Sequence, residues 1–130
     1  RLCPEQRARV IGNLYVEDKS DTICRLVDVS AAGALTQSTV VDELIAAYKD
    51  VRPSLVNLDP QTYFGPGERM VNDGEAELMR AGRRLSRELG CAVRFEHHTG
   101  KANARNRDVD QYAGRGGSAG ADNARFVQVL

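Results

Sequence analysis

Two short apolar runs separated by one long amphipathic segment constrain this chain more than any other feature. Ser54-Leu55-Val56-Asn57-Leu58-Asp59 and Cys91-Ala92-Val93-Arg94-Phe95-Glu96-His97 are each bounded by turn signals and long enough for one strand. Between them, Leu78, Ala81, Leu85 and Leu89 recur at the spacing of a single helix face. Asn72 with Glu75 three residues on resembles a capping box, and Gly90 supplies a stop. Strand, helix and strand in this order make a βαβ unit, with parallel strands and a right-handed crossover. Both strands then end at one edge of the sheet. Asp59 and His97-His98 therefore emerge together at the carboxyl edge, where open α/β sheets bind ligands.

A second helix is written upstream. Val41, Leu44, Ile45 and Tyr48 share a face, Thr39 can cap the start, Asp42 and Glu43 suit the first turn, and Arg52-Pro53 ends it. Residues 5–11 suit a short helix stopped by Gly12. Asn13-Leu14-Tyr15-Val16 and the alternating Cys24 to Val29 are brief strand candidates, and 30–38 reads as a loop. The Gly-, Ala-, Asn- and Arg-rich 99–120 is the longest irregular stretch, and Ala124 to Leu130 reads as a final strand. Arg80, Arg83, Arg84 and Arg87 lie largely off the apolar stripe, as a solvated helix face does.

The bulk numbers set bounds. With 130 residues the chain suits one compact domain. Lys plus Arg and Asp plus Glu balance at 18 each, so any anion binding has to come from a local arrangement. Cys3, Cys24 and Cys91 are scattered and odd in number, which reads as reduced thiols and a cytoplasmic location. No apolar run approaches the roughly 20 residues that span a bilayer. The opening at Arg1 reads as the middle of something, and a fragment is expected.

Asp59 ends an apolar strand and is followed by Pro60 and the loop glycines Gly65 and Gly67. An acid so placed can hold Mg2+ beside a nucleotide, or simply cap the strand. The histidines admit three readings. As joint metal ligands they are poor, because adjacent strand residues point to opposite faces. As a phosphate loop, "HHTGK" lacks the upstream glycine and has Ala102 where Ser or Thr is required. As polar groups at a strand end they can sense a terminal phosphate or an attacking water, or serve no such end. Downstream, Lys101, Arg105 and Arg107 lie in a run without acids, and Arg115 stands among glycines. Those glycines permit either a flexible loop or a close approach to a ligand or neighbouring subunit.

Taken together, "LVNLDP", a glycine-bearing loop, an amphipathic helix, "GCAVRFEHHTGK", a basic loop and "DQYAGRGGSAGADNARF" resemble the RepA-like branch of the RecA-type P-loop ATPases, which includes ring-hexameric replicative DNA helicases. The likeness runs from about Leu55 to Val129. It implies a partial RecA-like P-loop NTPase core, a mostly parallel sheet flanked by helices, with residues 1–130 forming the C-terminal portion of one ATPase domain. By the same resemblance Asp59 is the Walker B acid organising Mg2+ with ATP. His97 and His98 lie near the γ-phosphate, and Arg115 is an arginine finger for the next subunit. Lys101, Arg105 and Arg107 belong to a loop that contacts single-stranded DNA. Asp122-Asn123 is a structural turn.

Departures from the pattern are equally definite. No GxxxxGK(S/T) loop occurs in the sequence, so this chain alone is expected to bind ATP weakly and hydrolyse it negligibly. Asn57, Arg94 and Glu96 are polar where a strand buried on both faces is apolar, so either they face solvent or the copy has drifted. A degenerate non-catalytic remnant and a metal-dependent hydrolase using Asp59, His97 and His98 are the competing expectations.

Overall fold

A computed structural model describes residues 3–67, 71–97, 119–125 and 127. Their order is α1 (Pro4–Gly12), β1 (Val27–Val29), β2 (Leu35–Gln37), α2 (Thr39–Tyr48), β3 (Leu55–Leu58), α3 (Gln61–Phe64), α4 (Val71–Leu89), β4 (Ala92–Phe95) and a last short helix, α5 (Ala119–Asn123). The architecture is mixed α/β with two short sheets, one antiparallel and one parallel. The expected βαβ unit is present. β3 and β4 run parallel with Leu55 beside Ala92 and Leu58 beside Phe95, and α4 is the crossover.

α4 organises the interior because its whole apolar stripe is used. Leu78, Ala81, Leu85 and Leu89 are all buried, and they join Leu26, Val27, Val41, Leu58 and Phe64 in one cluster. α2 packs the other expected stripe against it, with Val41 fully buried and Leu44, Ile45 and Tyr48 partly so. Gly82 lies where the helix meets β4. A Cβ there would sit 2.6 Å from the Phe95 ring, so only glycine admits this approach. The off-stripe arginines are mostly engaged within the molecule. Arg80 pairs with Glu77 at 2.6 Å, Arg84 pairs with Asp42, and Arg83 donates to the Asn123 carbonyl at 3.1 Å.

Four expectations need correction. First, Asn13 to Val16 form no strand. Leu14, Tyr15 and Val16 are 61, 72 and 80% exposed, so this apolar run has no partner face among the described residues. Second, the stretch read as a loop contains β2, which pairs with β1 as a hairpin, Val27 beside Gln37 and Val29 beside Leu35. Its turn closes with Gly33 at φ 82 and with the Ala34 amide donating to Ser30 Oγ at 3.0 Å. Third, the cap of α2 is Ser38 rather than Thr39: its buried hydroxyl accepts from the Val40 amide and donates to the Arg25 carbonyl.

The fourth correction concerns the sheet. In place of one mostly parallel sheet flanked by helices, the described residues hold two two-stranded sheets, of which β3–β4 is parallel. Val56, Leu58, Val93 and Phe95 face the core, whereas Leu55, Asn57, Ala92 and Arg94 are exposed on the other side. On that open face Arg94 Nε donates to Asn57 Oδ1 at 3.0 Å, Asn57 Nδ2 donates to Glu96 Oε1 at 3.1 Å, and Arg94 pairs with Glu96. The polar residues that conflict with a doubly covered strand are therefore solvent-facing, which removes the cost of burying their charge. Most of the expected last strand, residues 124–130, lies outside the described residues.

Candidate functional site

Parallel pairing fixes the rim from which the candidate site is built. The ladder continues past the strands: the Glu96 amide donates to the Leu58 carbonyl at 2.9 Å, and the Gln61 amide to the Glu96 carbonyl at 2.6 Å. Asp59 lies between those two bonds on one chain, and His97 directly follows Glu96 on the other. Both residues thus leave the carboxyl edge of the same two-stranded sheet, Asp59 exposed and His97 half-buried. His98, Lys101, Arg105, Arg107 and Arg115 lie outside the described residues.

Beyond Asp59 the chain turns at Pro60 into the single turn of α3, an element with no clear signal in the sequence. α3 is held at both ends. The Phe64 carbonyl accepts from the Leu26 amide at 2.8 Å, and the Tyr63 hydroxyl is aimed at the Lys19 and Thr22 carbonyls. A cleft of about 330 Å3 opens between this turn and residues 20–25, lined in part by the hydroxyls of Ser20, Thr22, Thr62 and Tyr63. A larger cleft, about 630 Å3, lies at the opposite edge beside Ser54 and Ala92. Of its three cations, Lys49, Arg52 and Arg87, the first and last stand at the C-terminal ends of α2 and α4, where they offset the negative ends of the helix dipoles. It lies far from the chemistry of the rim.

Sequence reasoning missed a polar knot next to the rim. Glu75 is not a capping-box partner of Asn72. It is turned inward, 9% exposed, and its Oε2 accepts from the Gly120 amide at 2.9 Å. Gln61, 6% exposed, packs on the same glycine: a Cβ at Gly120 would lie 3.3 Å from Gln61 Nε2. The readable signal was spacing. Glu75 precedes Leu78 by three residues on the buried stripe, a place where an acid needs a partner.

A protein-family model described as an AAA domain matches residues 5–104. The chain belongs to the AAA domain family. No curated protein and no solved structure matches it. The family is of the AAA/P-loop ATPase type, which implies an ATPase-like function and nucleotide use. The matched stretch of the AAA domain includes Asp59, His97, His98 and Lys101, and ends before Arg105, Arg107 and Arg115.

The donor set at the rim of this AAA domain suits a hard cation. Asp59 offers carboxylate oxygens at an exposed strand end, and Mg2+ is commonly held by one or two carboxylates while keeping water and phosphate oxygens. Among the described residues no three His, Cys, Asp or Glu side chains converge to hold a metal, so a transition-metal cage would need ligands from outside them. No described helix is long and apolar enough to cross a membrane.

Proposed function

We propose that this AAA domain is the Walker B and sensor portion of a RecA-like ATPase of the RepA-like helicase type, or of a related DNA-dependent ATPase. The observation that carries the reading is the shared rim, where Asp59 and His97 leave co-directional neighbouring strands. Asp59 would hold Mg2+, which supplies charge neutralisation on the phosphates when bound. His97 and His98 would face the terminal phosphate. Arg115 would reach the nucleotide of a neighbouring copy in a hexameric ring, and Lys101, Arg105 and Arg107 would contact single-stranded DNA. No GxxxxGK(S/T) loop is present in the 130 residues, so on this reading the phosphates are cradled by chain outside them.

The deciding experiment uses a protein that contains both this chain and such a loop. Arg115→Ala should lower ATP turnover at least a hundredfold while leaving nucleotide affinity within about twofold, as expected for a group that acts on the transition state in trans. Unchanged turnover would discard the finger assignment. Absence of turnover in the unmutated protein, with DNA present, would favour a non-catalytic remnant instead.

A further inference from the structure

We propose that Glu75 is a positioning residue: its buried carboxylate clasps α5 onto α4 and so fixes the place of the short helix that begins four residues after Arg115 in the sequence. The consequence for catalysis rests on the function proposed above, whereas the clasp itself does not.

α5 has only five residues, far too few to be stable as an isolated helix, so its place depends on what holds it. α4 holds it at both ends with complementary charge. Near the start of α5, the Gly120 amide donates to Glu75 Oε2 at 2.9 Å. At the end, the Asn123 carbonyl accepts from Arg83 Nη1 at 3.1 Å. Amides at a helix start and carbonyls at its end lack helical partners, and they favour an acid and a base respectively. The glycine is part of the fit. Any Cβ at position 120 would lie 3.3 Å from Gln61 Nε2 and 3.4 Å from Glu75 Oε2, tighter than ordinary contact in both directions.

The clasp is joined to the rim. Gln61 stands two residues after Asp59, and its amide closes the last bond of the β3–β4 ladder to the Glu96 carbonyl. One buried knot therefore couples three things: the strand end bearing Asp59, the start of α4, and the short helix that follows Arg115 in the chain. A carboxylate inside a protein is costly unless it is well bonded. Placing one on the buried stripe of α4 serves registration of α5 rather than core packing.

Amide hydrogen exchange on the 130-residue chain tests the clasp. Glu75→Ala should speed exchange at Gly120 and Ala124 about tenfold or more, while amides of Leu78 to Leu85 keep their protection. Glu75→Gln keeps an acceptor oxygen in nearly the same shape and should retain most of it. Arg83→Ala, at an exposed position, should speed exchange at Ala124. Unchanged exchange at Gly120 in Glu75→Ala overturns the proposal. If that variant does not fold, Gly120→Ala probes the clasp from the other side, and unchanged protection at Ala124 overturns it equally.

Turnover in the ATP-hydrolysing assembly tests the link to catalysis. Glu75→Ala should lower kcat about tenfold with KM for ATP unchanged, and the loss should vanish in an Arg115→Ala background. Independent, multiplying effects would sever the link to Arg115. If the assembly hydrolyses no ATP in any form, the ATPase reading and the catalytic role of Glu75 fall together, and the exchange results still decide the clasp.

Discussion

Cys24 and Cys91 are buried at 8% exposure each, and burial pushes both thiols above the ordinary thiol range. Tyr48 behaves alike: burial first, and then its hydrogen bond to the Glu17 carboxylate, push its hydroxyl up to about 12. For each group the folded state favours the protonated form. Its stabilising contribution is complete below the unfolded value and is lost as pH rises through the raised folded one. Denaturation midpoints should therefore be insensitive to these groups at neutral pH and decline above about pH 8.5. Cys91→Ala should shrink that decline, and an identical alkaline slope in the variant would show the thiol is not its source. Gly82 supplies a second test at this scale. Gly82→Val would force a branched side chain into the Phe95 ring and should cost about 1–3 kcal/mol, read from chemical denaturation.

At the scale of elements, legibility in the sequence followed length and period. α4 could be read almost to its ends because a 19-residue helix repeats its pattern several times. The paired runs Leu55–Leu58 and Ala92–Phe95 could be read because turn signals bound them and α4 separates them. The hairpin could not: three-residue strands such as Leu35-Thr36-Gln37 hold too little alternation to stand out from a polar loop. Apolarity without a partner misled in the opposite direction at Leu14 to Val16. At the rim, the direction of Asp59 and His97 was legible from topology alone, whereas the shared partner of Gln61 and Glu75 was not, because it lies far along the chain at Gly120. The start of α2 allows a clean comparison. Ser38 satisfies the Val40 amide and also ties to the Arg25 carbonyl, while Thr39 is exposed and reaches only Glu43 at 3.4 Å. Ser38→Ala should cost about 1–2 kcal/mol and Thr39→Ala less than about 0.5 kcal/mol by urea denaturation. Equal losses would show that the cap is wrongly assigned.

Across the whole molecule the formal charge is zero, so attraction to a polyanion cannot come from a general field. The proposed DNA contact therefore makes a local prediction. In the protein that contains this domain, replacing Lys101 and Arg105 together by alanine should reduce the slope of log affinity against log salt by about 1.4, near 0.7 for each lost single-strand phosphate contact. Binding titrations between low and physiological salt measure it, and an unaltered slope would dismiss the loop as the contact. Cohesion is likewise concentrated rather than spread. α4 packs against α2, α5, β1, β2 and β4, and the Leu26 amide just before β1 donates to the Phe64 carbonyl at the end of α3.

Two tyrosine hydroxyls staple one stretch of chain: Tyr48 to Glu17, and Tyr63 to the carbonyls of Lys19 and Thr22. With no tryptophan and only four tyrosines, the protein has an ultraviolet emission carried by these phenols alone. Release of the stapled stretch would change the surroundings of both at once. Movement next to the turn after Asp59 can thus be followed by intrinsic light emission, with no dye attached.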